Sequence, residues 1–166
     1  MNILGKITVF IQLNRHLAQL KEFPLIFPCF RVYNKPMTQK GERIMKFEMY
    51  HSCITVLNMD NSLEFYKEAL GLEVLRTKEA EDGSWKLAFL GHEGGVCQLE
   101  LTWYKDRTEP YNLGDNEIHV GFRTDDYEAA HARHEDMGCI CFDNKEMGVY
   151  FIEDPDGYWM EVVPVR

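Results

Sequence analysis

From residue 46 onward, apolar residues recur at two spacings. Alternation with period two marks strands over Phe47 to Val56, Leu72 to Thr77, Trp85 to Leu90 and Val96 to Thr102. Helical periodicity through Leu63, Phe65, Tyr66, Ala69 and Leu70 predicts a helix capped by Asn58 or Asp60 and closed by Gly71. After a polar, Gly/Pro-containing connection over Tyr104 to Asn116, the plan repeats. Strands are expected over Glu117 to Thr124, Cys139 to Phe142, Gly148 to Glu153 and Tyr158 to Val163. A helix capped by Asp125 or Asp126 runs to about Met137, and Gly138 ends it. The order βαβββ thus occurs twice, with about 20 residues in each copy between a strand histidine (His51, His119) and the closing glycine. A repeat this short cannot bury both faces of its sheet alone, so the copies must pack together or across a dimer.

The stretch Asp154 to Val163, DPDGYWMEVV, organises this plan. Asp154-Pro155-Asp156-Gly157 spells a tight turn. In the strand after it, Glu161 faces opposite to Met160 and Val162. The same parity puts His51 opposite Ile54 and Val56, Glu100 opposite Leu99 and Leu101, and His119 opposite Val120 and Phe122. Each of these four strands has one apolar face suited to packing under helices and a polar residue at its centre on the other. A mid-strand carboxylate is costly to desolvate without a cationic partner. Two imidazoles and two carboxylates are the donor set of a divalent metal site if the sheets curl around a common cavity. With no thiolate among them, they suit octahedral Ni, Co, Mn or Fe, or Zn. Taken singly, each of the four is more often a structural residue. Their matching places in a repeat favour the metal.

Composition narrows the picture. With 45% hydrophobic and 27% charged residues the chain reads as a soluble globular protein. A net charge of -9 argues against a nucleic-acid partner, and no apolar run is long enough to cross a bilayer. The odd count of five cysteines, without CxxC, reads as reduced, buried thiols in a cytoplasmic protein. Residues 1–44 differ from the rest: seven Lys/Arg oppose only Glu22 and Glu42, and Pro24, Pro28 and Pro36 interrupt regular structure. This basic extension is expected to be poorly ordered and outside the functional domain. Met45 is expected to be the natural start, because Lys40 to Arg43 can be written in purine-rich codons like those of a ribosome-binding site. The domain then spans 45–166, with module one at 46–103, a linker at 104–116 and module two at 117–164.

Other clusters read as scaffold. His131, His134 and Glu135 are expected on a solvated helix face, and His92 and Glu93 in a solvated turn. Trp85, Leu87 and Phe89 share a strand face that is either core or pocket wall.

The segments MYHSCITVLNMDNSLEFYKEALGLEVLR, LAFLG, LELT, IHVGF and FIEDPDGYWMEVV resemble bacterial glyoxalase I (lactoylglutathione lyase) of the vicinal-oxygen-chelate, or glyoxalase/bleomycin resistance/dioxygenase, superfamily. The resemblance implies an α+β fold of two βαβββ modules whose curved mixed sheets surround a metal cavity. It implies His51, Glu100, His119 and Glu161 as ligands, with one divalent ion, Ni or Co ahead of Zn. It implies a homodimer with a small-molecule substrate and no nucleic-acid or membrane partner. The implied activity is a metal-dependent carbon–sulfur lyase in methylglyoxal detoxification. It converts the hemithioacetal of methylglyoxal and glutathione, the co-substrate, to S-D-lactoylglutathione through a metal-bound enediolate. Glu161 is the implied base, and Glu100 stays bound or shares the shuttling. Two positions depart from the family: Thr55 replaces an Arg and Tyr104 an Asn, both of which help hold glutathione; Lys105 or Arg107 are the candidates to restore the charge. The alternatives are an acyl-CoA epimerase, against which Glu100 counts, an extradiol dioxygenase, against which a fourth ligand counts, and a non-catalytic drug-binding resistance protein.

Overall fold

The computed structural model describes residues 47–165. The expectations for residues 1–44 and for a start at Met45 lie outside the described residues. Module one comprises β1 (His51–Val56), α1 (Met59–Leu70), β2 (Glu73–Glu79), β3 (Trp85–Gly91) and β4 (Gln98–Tyr104). Module two comprises β5 (His119–Thr124), α2 (Tyr127–Asp136), β6 (Ile140–Asn144), β7 (Val149–Glu153) and β8 (Trp159–Pro164). The result is an α+β fold of two four-stranded mixed sheets, ordered β1-β4-β3-β2 and β5-β8-β7-β6. In each, the first strand pairs in parallel with the last and the other neighbours are antiparallel. Even a register shift recurs, between Val74 and Arg76 in β2 and between Ile140 and Phe142 in β6. None of the described helices is long and apolar enough to cross a membrane.

The local signals act as the sequence suggests. Asn58 caps α1 through Oδ1, which accepts from Asn61 N at 3.1 Å, and Asp126 caps α2 by accepting from Ala129 N at 3.0 Å. Gly71 ends α1 in the left-handed region, φ 65°, where a Cβ would be strained. Phe47 to Tyr50 lie outside β1 and are exposed. The strand faces predicted to be apolar join in one core. Ile54, Val56, Leu99 and Leu101 of module one and Tyr150, Ile152, Met160 and Val162 of module two belong to a single buried cluster.

Polar bolts cross between the modules inside that core. The Asp154 carboxylate accepts from Tyr158 N at 2.8 Å and Asp156 N at 2.9 Å, closing the turn, and from Tyr66 Oη of α1 at 2.7 Å. Asp156 accepts from Leu57 N at 3.1 Å just before α1. Burial pushes both carboxyls above the usual range and raises the Tyr66 hydroxyl strongly. The turn that opens β8 is therefore also the clamp on the start of α1.

His134 requires a correction. It is fully buried instead of lying on a solvated face. Its Nε2 donates to Ala69 O at 2.8 Å, so its Nδ1 accepts from Tyr150 Oη at 2.8 Å. Periodicity assigned it to the polar side because its neighbours are charged; the C-terminal turn of α1 covers it. His131 is half-buried and meets Asp143 at 3.3 Å. The cysteine expectation also fails in part: Cys53, Cys97 and Cys141 are exposed and Cys139 is half-exposed. Strand parity turns Cys53 onto the face opposite the core, and Cys141 sits at the register shift of β6.

Burial lowers the His134 pKa below its ordinary value of 6.5. A group so lowered lends stability above its unfolded value and loses it as pH falls through the folded one. The urea midpoint should therefore drop between pH 7.5 and pH 5.5. His134→Leu should cost about 1–3 kcal/mol at neutral pH by orphaning Ala69 O and Tyr150 Oη, and should flatten the acid loss. An unchanged pH slope in the variant would contradict this role.

Candidate metal centre

Parallel pairing of β1 with β4 places His51 beside Gln98 and Cys53 beside Glu100. His51 and Glu100 lie on the diagonal of one face, His51 Nε2 at 3.3 Å from Glu100 Oε2. Pairing of β5 with β8 repeats the arrangement: His119 lies beside Trp159 and Gly121 beside Glu161, and His119 Nε2 stands 3.5 Å from Glu161 Oε2. Both pairs occupy the face opposite the shared core. Each imidazole rests edge-on against a phenylalanine of the third strand of its module, His51 on Phe89 at 5.7 Å and His119 on Phe151 at 5.2 Å. These rings fix the imidazole planes. The sequence raised Phe89 only as core or pocket wall and did not single out Phe151; its repeat position is the signal that finds it. Phe89 is both, buried and on the site face.

The donors come together as two pairs and not as four. Among the described residues, no three His, Cys, Asp or Glu side chains gather closely enough to hold an ion. Within one chain, the described residues thus present these donors as two separate pairs. A nitrogen and a carboxylate oxygen this close can act together as a bidentate donor in each half. Two halves supply four of the six positions of an octahedral ion. The side chains and their pairing thus fit a divalent metal.

The two carboxylates are not held alike. Glu100 Oε1 accepts from Thr102 Oγ1 at 3.1 Å, and Thr102 Oγ1 also meets Cys53 Sγ at 3.4 Å. The Glu100 side chain is 13% exposed. Glu161 is 22% exposed, and His119 is the one side chain that it pairs with by an ion pair or hydrogen bond among the described residues. Gly121 lies beside it, and a Cβ there would sit 3.5 Å from Glu161 Oε2. Glu161 has room to move that Glu100, with Cys53 in the equivalent place, does not.

On module one the same face carries Arg76, half-buried, 3.2 Å above the Phe89 ring and bonded to Gln98 Oε1 through Nε at 3.3 Å and Nη2 at 3.2 Å. Sequence reading did not single it out. Of the candidates for a replacement charge, Arg107 is tied to its own loop: it donates to Glu109 O and Pro110 O at 2.6 and 2.8 Å and lies over Tyr111. Lys105 is exposed. Thr55 is engaged with Tyr158 Oη at 3.0 Å, and Tyr104 is exposed at the end of β4.

A cavity of about 700 Å³ opens between the two edge strands, lined among others by Ser52, Cys53, Ile118, His119 and Trp159. Exposed apolar residues flank each histidine: Met49 and Tyr50 precede His51, and Ile118, 87% exposed, precedes His119.

Comparison with known proteins gives a consistent picture. The lactoylglutathione lyase of Neisseria meningitidis is 36% identical over 123 residues, covering 69% of this chain and 88% of the relative. That of Escherichia coli O157:H7 is 30% identical over 128 residues, covering 69% and 90%. Among solved structures, the trypanothione-dependent glyoxalase I of Leishmania major superposes with a TM-score of 0.64 at 30% identity, covering 72% of this chain and 87% of that one. Glyoxalase I of Zea mays gives 0.61 at 27% identity, with this chain spanning 43% of the maize chain. A family profile matches residues 48–162, and the chain belongs to the Glyoxalase/Bleomycin resistance protein/Dioxygenase superfamily.

Proposed function

We propose that this protein is a metal-dependent glyoxalase I-type lyase, converting the hemithioacetal of methylglyoxal and a thiol such as glutathione to the S-D-lactoyl thioester. The observation that carries the reading is the His–Glu pair repeated at the same register in both sheets. The relatives named lactoylglutathione lyase, similar over most of their length, support it.

His51 and Glu100 would hold the ion together with His119 and Glu161 of a second copy of the chain. Three features favour the homodimer. The pairs do not gather within one chain, apolar side chains beside both histidines are exposed, and the maize chain is long enough to hold two such domains. A two-fold dimer of this kind makes two equivalent sites. Nitrogen and oxygen donors without thiolate suit Ni or Co, and Zn as well; the resemblance to the short bacterial type puts Ni or Co first. When bound, the ion polarises the substrate oxygens and acidifies the adjacent C–H.

The protein supplies the proton transfer. Glu161 takes the proton from the carbon bearing sulfur and returns it to the neighbouring carbon, so the substrate is isomerised with no net redox change. Its freedom beside Gly121 suits a group that moves between two carbons. Glu100, held by Thr102, stays in place. Phe89 and Phe151 hold the imidazoles at fixed angles.

Glu161→Gln should lower kcat by about 10²–10⁴-fold while elemental analysis still finds the metal; turnover near wild type would refute Glu161 as the base. Thr102→Val should loosen Glu100 and weaken Ni²⁺ affinity about 10-fold or more, read by competition with a chromophoric chelator. Unchanged affinity would remove Thr102 from the support of the site.

A further inference from the structure

The two modules are an internal control on each other. Residues at matching register are alike where they serve the ion: His51 and His119, Glu100 and Glu161, Phe89 and Phe151. They differ where they do not. Two positions along the strand from Cys53 and Gly121, module one carries Thr55 beside Thr102, and module two carries Arg123 beside Val163.

The two rungs are in opposite states. Thr55 is closed off: its hydroxyl meets Tyr158 Oη at 3.0 Å and its N–H points to the same oxygen at 3.4 Å. Arg123 is exposed on the face that carries His119, and its guanidinium has no hydrogen bond or ion pair among the described residues. Arg76, the cation on the corresponding face of module one, is already engaged by Gln98 and the Phe89 ring. The net charge of -9 and the two site carboxylates repel an anionic substrate. An unengaged guanidinium on the same face counters that, and its fork matches a carboxylate. Four residues of strand separate Arg123 from His119, about 13 Å, so with its own reach the guanidinium meets a group roughly 7–13 Å from the reacting carbons.

We propose that Arg123 of module two, and not the Thr55 rung of module one, holds the anionic end of the thiol co-substrate, a carboxylate on a peptide-sized thiol. The proposal rests on the lyase reading for its substrate class.

The test is calorimetric binding of S-methylglutathione and of its diethyl ester, which has no free carboxylate, to the Ni²⁺-loaded protein, as wild type, Arg123→Gln and Arg123→Lys. A lost charge-assisted contact should raise the Kd for the acid about 10- to 100-fold in Arg123→Gln. The ester's Kd should move less than about twofold, and Arg123→Lys should recover part of the loss. Equal weakening of acid and ester, or no change in either, overturns the proposal. Turnover of the methylglyoxal hemithioacetal by the wild type is measured alongside. Selective loss of acid binding without any wild-type turnover leaves Arg123 as the anion site and sinks the lyase reading instead.

Discussion

Parallel pairing of the first and last strand of each module is the constraint on which the molecule rests. It brings two residues distant in sequence, a histidine and a glutamate, onto one diagonal of one sheet face, within 3.3 Å in module one and 3.5 Å in module two. Because side chains alternate, the same pairing sends Ile54, Val56, Leu99, Leu101, Met160 and Val162 to the opposite face. The core that stabilises the strands and the His–Glu pairs on the opposite face are thus set by one register. A one-residue slip would exchange them, burying carboxylates and exposing Leu101 and Met160.

What couples the modules is polar and specific. The turn at Asp154 reaches Tyr66, Asp156 reaches the backbone before α1, and His134 ties Tyr150 to the end of α1. Such buried groups are expensive to orphan, about 1–3 kcal/mol each. They therefore fix how the modules meet more strictly than the apolar cluster alone. The residue that opens β8 also orients it, so the position of Glu161 depends on contacts made a few residues upstream.

Much of this was legible in the sequence. Period-two alternation found all eight strands to within a few residues, and caps at Asn58 and Asp126 with glycines at 71 and 138 bounded the helices. Parity alone sorted His51, Glu100, His119 and Glu161 from their apolar neighbours. Three things were hidden. His134 is surrounded in sequence by charge, and only the packing of α1 buries it. The cysteines in strands looked buried by type, while parity and a register shift expose Cys53 and Cys141. Whether four donors meet in one chain depends on how two sheets are disposed in space, which no local pattern encodes. The rows that pair Arg76 with Phe89 and Thr55 with Thr102 are likewise properties of register, and a linear reading does not show them.

The central claim is that each metal site is shared between two copies. Subunit complementation tests it most directly. His51→Ala and His119→Ala, each inactive alone, are unfolded together, refolded as a mixture, loaded with Ni²⁺ and assayed on the methylglyoxal hemithioacetal. Half of the mixed dimers are hybrids, each with one intact site, so about a quarter of wild-type activity should return. A mixture that forms hybrid dimers and stays as inactive as its parents would contradict the account.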